Sequence, residues 1–169
     1  TYSLDRGDWN SPLNPVKAGF PRAFTGEAEP AQFKLDPFKR WPTRGRRKVL
    51  ADWIASKTNP LTARVIVNRL WQGHFGRGIV STPSDFGNLS DGPSHPMLID
   101  FLARYLMEHD WSLKSIHRLI CNSRTYQQSS KVGVHAALTT DPENLLLWAF
   151  PARRLGSEAI RDRILSVSG

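Results

Sequence analysis

The sequence predicts a mostly α fold: an irregular helical bundle around a buried central helix, with an extended Pro/Gly-rich N-terminal arm. Three observations lead there. Residues 59–87 join an apolar run of helical period to a glycine-marked turn. Segments 45–56, 94–109 and 112–122 repeat that period of about 3.6 residues. Residues 1–43 hold Pro, Gly, Asn and scattered aromatics without any sustained period. The expected division is an arm over residues 1–43, packed on the core, and a helical domain over residues 44–169.

The arm carries Tyr2, Trp9, Phe20, Phe24, Phe33, Phe38 and Trp41, too many aromatics for a free linker, so some are expected to dock in grooves. Arg6-Gly7-Asp8 spells an adhesion tripeptide, a match too short to carry that reading. Residues 39–48 form the densest basic stretch, with Arg44, Arg46, Arg47 and Lys48 around the same aromatic-rich end. Val49, Leu50, Trp53 and Ile54 then gather on one face of a helix over about 45–56.

The central helix is expected to start at Asn59, a good N-cap, with Pro60 in the first helical position, where a missing N–H is harmless. Leu61, Ala63, Val65, Ile66, Val67, Leu70, Trp71 and Phe75 spread around most of its circumference, so little of it is expected to face water. Gly73, Gly76 and Gly78 allow positive φ and predict a helix stop and an ordered loop carrying Ile79 and Val80 inward. No Walker lysine and no G-x-G-x-x-G accompany these glycines, which argues against phosphate cradling.

Ser94 is the expected cap of the next helix, running through Pro96 to about His109, with Asp100, Arg104 and Glu108 as an exposed ion-pair ladder. Ser112 caps a further helix that turns Leu113, Ile116, Leu119 and Ile120 inward. Residues 124–140 read as loop anchored by Tyr126. Asp141-Pro142 should start a short helix with a mostly buried LLLWAF, and Ser157 to about Val167 a last one with Ile160, Ile164 and Val167 inward and a Glu158–Arg161 pair.

The candidate polar cluster lies on the central helix. Arg64, Asn68 and Gln72 make a stripe at i, i+4 and i+8, and a buried guanidinium there needs a carboxylate or carbonyls, with Asp85, Asp100 or a helix C-terminus to supply them. Arg69, His74 and Asp85 complete the set. A network that fixes packing is favoured over a ligand site. The five histidines, His74, His95, His109, His117 and His135, show no close metal-ligand spacing, so no metal is expected, and His74 reads as a core histidine. Ser94-His95 lacks a nucleophile elbow, leaving no catalytic signature.

At 169 residues, 40% hydrophobic with six Trp, the chain suits a single core. The lone Cys121 excludes an internal disulfide and a CxxCH haem attachment, and it reads as a structural thiol. A net charge of +8 and a pI near 10.1 suit an anionic polymer or an acidic neighbour. No apolar run approaches a membrane span. Lacking an initiator Met and ending directly after a helix, the chain reads as a piece of a longer protein, its helical domain incomplete at the C-terminus.

The run NPLTARVIVNRLWQGHFGRGIVSTPSDFG, followed in order by PSHPMLIDFLA, DWSLKSIHRLICNSRTYQQSS, DPENLLLW and RRLGSEAIRDRILSVSG, resembles the bacterial domain of unknown function 1553, also called the PSD domain of planctomycete cytochrome c-associated proteins. The resemblance implies a large secreted or periplasmic parent, neighbouring domains of that parent as partners, and haem c, where present, in an upstream domain. It implies no reaction and no catalytic residues. The leading expectation is a structural or interaction module. The alternatives are part of an enzyme acting on polysaccharide or another polymer, built on Arg64, Asn68, Arg69, His74 and Asp85, and, more weakly, nucleic-acid binding. The last would use the 39–48 stretch or Lys114, Arg118 and Asn122 on a helix-turn-helix-like pair.

Overall fold

The computed structural model describes residues 2–16, 19–21, 24, 45–131 and 135–169. Among them are seven α-helices and one two-stranded sheet, so the fold is mostly α as predicted. The chain divides into two units, Thr1–Thr62 and Ala63–Gly169. Residues 39–44, with Trp41 and Arg44 of the basic stretch, lie outside the described residues, as do Phe33 and Phe38 and the predicted 43/44 boundary.

In the first unit, β1 (Tyr2–Leu4) pairs antiparallel with β2 (Pro12–Pro15), Tyr2 opposite Pro15 and Leu4 opposite Pro12. Arg6 and Gly7 turn the chain at φ 47° and 83°. The Asp8 carboxylate closes the loop, accepting from the Asn10 N–H and the Ser11 hydroxyl at 3.0 Å each; these bonds, the backbone one first, hold its pKa below the usual value. The arm therefore contains a hairpin that periodicity did not reveal. Its strands are too short for alternation to show, and prolines end them.

Gly45, at φ 75°, leads into α1 (Arg46–Ile54). Trp53 of α1 collects the arm's aromatics: Phe20 is buried and stacks on it at 4.5 Å between centroids, and Phe24 lies at 6.4 Å. Asn59 is buried, and its Oδ1 accepts from the N–H groups of Leu61 at 2.9 Å and Thr62 at 3.3 Å. Pro60 and Leu61 therefore form a capped turn, and α2 (Thr62–Phe75) starts two residues later than predicted. The Thr62 hydroxyl donates to the Ile54 carbonyl at 2.7 Å.

The second unit holds the core. α2 buries Ala63, Val67, Trp71 and Phe75, four residues apart on one face, with Asn68 beside Val67, while Arg69 and Gly73 face solvent. As expected, little of α2 faces water: Ile66 and Leu70 pack against the core as partly buried side chains, Arg64, Val65, Gln72 and His74 are half-buried, and Arg69 and Gly73 are its exposed residues. α3 (Pro96–Glu108) adds Ile99, Leu102, Ala103 and Leu106, and α4 (Leu113–Cys121) adds Ile116 and Ile120. With Ile79 and Val80 these make one apolar cluster. Asp110 and Trp111, at φ 52° and 57°, turn α3 into α4, and the Trp111 N–H returns to the Leu106 carbonyl at 2.9 Å.

Several local expectations are corrected. His95, not Ser94, precedes α3, because the Ser94 N–H and hydroxyl both bond the Ile79 carbonyl, at 2.8 and 3.1 Å. Residues 124–140 are not plain loop but carry α5 (Arg124–Gln127), capped by the Ser123 hydroxyl, and α6 (His135–Thr140). Asp141 ends a helix rather than starting one. Its carboxylate accepts from the N–H groups of Leu145 and Leu146 at 2.9 and 2.8 Å, and Asn144 and Leu147 take positive φ, so LLLWAF forms successive turns with Leu145 and Leu146 exposed. In α7 (Ser157–Ser168) no residue is buried: Ile160, Ile164 and Val167 are exposed, Glu158 accepts from the Ser157 hydroxyl, and Arg161 reaches Asp162.

Candidate functional site

Asn68 is the one fully buried polar side chain among the described residues. Its Nδ2 donates to the Val80 carbonyl at 3.0 Å, and its Oδ1 accepts from the Val80 N–H at 2.8 Å. The loop after α2 thereby gains the pairing a neighbouring strand would give, and Ile79 and Val80 are held in the core. Gly78 makes room for this clasp. A Cβ there would stand 2.5 Å from the Val80 oxygen and 2.7 Å from Asn68 Nδ2. Of the three glycines expected to supply positive φ, only Gly76 does, at 84°; Gly78 is needed for space, and Gly73 lies within α2 with open solvent beyond it.

The other cluster residues disperse. The Arg64 Nε donates to Asp100 Oδ1 at 2.7 Å, so the carboxylate anticipated for Arg64 comes from α3, and Asp100 reaches across helices as well as lying on the solvent side of its own. Both side chains are more than a third exposed. Gln72 is half-buried and Arg69 exposed. Asp85 is exposed in its own loop, where it accepts from the Gly87 N–H at 2.8 Å and its carbonyl takes the Thr82 hydroxyl. None of these six residues lines the pocket bordered by Trp71, Phe75 and Ile79.

His74 finds a partner that periodicity did not foretell. Its Nε2 lies 2.8 Å from His117 Nδ1 on α4, so one ring donates its proton to the other. Tyr126 meets His74 and Phe75 edge-on at 5.3 and 5.8 Å, which makes it the anchor expected of that segment. Arg153 donates to the Gly73 carbonyl near the C-terminal end of α2. Burial first, then His117 and Arg153, push the His74 pKa below the usual histidine value. Among the described residues no three His, Cys, Asp or Glu side chains converge as metal ligands, and Cys121 is a half-buried free thiol. Arg46, Arg47 and Lys48 are exposed on α1, Lys48 pairing with Asp52 at 2.6 Å; Lys114 and Arg118 are exposed on α4.

A pocket of about 220 Å³ opens elsewhere in the second unit. Trp71, Phe75 and Ile79 form its floor. Its rim carries Arg77, paired with Glu143 at 2.9 Å, and Asp91, which accepts from the Ser81 hydroxyl at 3.2 Å. Trp71, Phe75 and Ile79 were legible beforehand, as inward-facing residues. The rim assembles from two loops, residues 76–95 and 141–156, whose spacing carries no motif.

Fold and site together define an α-helical domain whose buried polar group serves its architecture. The chain belongs to the family described as protein of unknown function (DUF1553), whose model matches residues 46–169. No curated protein and no solved structure gives a significant match. Among the described residues, no helix is long and apolar enough to cross a membrane.

Proposed function

We propose that the chain is a non-catalytic interaction module of a larger extracytoplasmic, cytochrome c-associated protein, working against neighbouring domains of that parent. The observation that carries this is the spending of the polar stripe on the fold. Asn68 gives both amide functions to Val80, and Arg64 bonds Asp100, which leaves no converged acid, base and nucleophile on the central helix. Family resemblance supports the address and the haem-bearing neighbour. The net charge of +8 supports an acidic surface or an anionic polymer as the thing contacted, and nucleic acid is the weaker form of that reading.

The test is a turnover assay. The purified chain is incubated with neutral, uronic-acid and sulfated polysaccharides, and reducing ends are counted. The module reading expects no release above buffer. Release that disappears in both Arg64→Ala and His74→Ala would instead make the enzyme alternative the function of this domain.

A further inference from the structure

We propose that α7 docks an acidic amphipathic helix of a partner polypeptide, seated along Ile160, Ile164 and Val167 with its carboxylates against Arg161 and Arg163. The proposal rests on the interaction-module reading and adds the chemistry of the partner.

Ile160, Ile164 and Val167 are 38%, 61% and 82% exposed on a helix that buries nothing. Their spacing of four and then three residues is the d-a-d step of a heptad seam. At about 100° per residue they span an arc of about 60°, with Arg163 just beyond Val167 and Arg161 just beyond Ile164. Glu158 and Asp162 fall on the opposite side of the wheel. Arg161 meets Asp162 only at 3.5 Å, with both side chains 74% exposed, so its guanidinium is largely solvated. A shallow groove of about 330 Å³ runs past Ile160, Ile164 and Leu165.

A narrow apolar seam between two guanidinium groups complements a helix with apolar a and d positions and acidic flanks. A second copy offers no carboxylate at those flanks, since its acids lie on the far side. A bilayer calls for a broad apolar face, and here Arg161 interrupts the seam before Leu165.

The experiment uses the whole chain and two fluorescent three-heptad peptides with Leu at a and d, one with Glu and one with Lys at e and g. Fluorescence anisotropy is expected to show the Glu peptide binding about tenfold or more tightly than the Lys peptide. Arg161→Glu with Arg163→Glu is expected to reverse that preference. Ile164→Glu is expected to abolish binding with an unchanged thermal melt, because α7 buries no residue. Failure of the Glu peptide to bind, equal binding of both peptides, or a charge swap without reversal overturns the proposal. Sedimentation showing self-association lost in Ile164→Glu assigns the face to a second copy. Retention on phosphatidylglycerol vesicles, lost in the same variant, assigns it to lipid. Each of these outcomes removes the acidic helix as partner and leaves the turnover assay, and the module reading, to stand separately.

Discussion

Asn68 and Val80 meet as side-chain amide and backbone amide, joined by two hydrogen bonds of 3.0 and 2.8 Å in a fully buried position. The asymmetry of hydrogen-bond energetics makes this contact costly to break. Asn68→Ala leaves the Val80 N–H and carbonyl desolvated and unpaired, at roughly 1–3 kcal/mol each. The expected loss in urea unfolding is about 2–6 kcal/mol. An unchanged midpoint would show that the loop is held by its apolar side chains alone.

Two glycines should respond in opposite directions. Gly78→Ala drives a methyl group into the Val80 backbone oxygen and the Asn68 amide, so the clasp must open and stability is expected to fall by an amount comparable to Asn68→Ala. Gly73→Ala sits inside α2 with nothing within 4 Å of the added carbon, and a gain of about 0.5–1 kcal/mol is expected. The pair of thermal melts checks both signs in one host.

The Arg64–Asp100 pair is shorter than the clasp bonds, at 2.7 Å, yet should matter less. Its groups are 37% and 47% exposed, so water and salt compensate for most of its loss. Asp100→Asn is expected to cost at most about 1 kcal/mol, with the difference shrinking in high salt. A loss as large as that of Asn68→Ala would mean that the guanidinium is desolvated.

Stability should fall on mild acidification, in part through His74. Burial, His117 and Arg153 hold its pKa down in the folded chain, whereas the unfolded chain takes up a proton at about pH 6.5. Below that pH the unfolded state binds more protons, so this contribution is intact above about pH 6.5 and is lost progressively as pH falls toward the depressed folded value. Melts at pH 7.5 and 5.5 are expected to differ less in His74→Gln than in the parent chain. Equal differences would place the acid sensitivity in other groups.

The helical class, the one-sided packing of residues 96–108 and, Leu113 excepted, of residues 113–121, and the Asn59 cap were all readable in the sequence. Each depends on spacing within one segment, which a 3.6-residue period or a capping residue reports directly. The family too was readable, because its motifs recur in one order along the chain.

Tertiary structure decided the rest. That Asn68 pairs with Val80, twelve residues on, that Gly78 is there to admit that pair, and that His74 meets His117 from another helix are facts of approach between segments, which no local period encodes. The same reason separates α7 from the other helices. Its apolar spacing predicted an inward face, but whether a face is buried depends on another element arriving to cover it, and among the described residues none buries it.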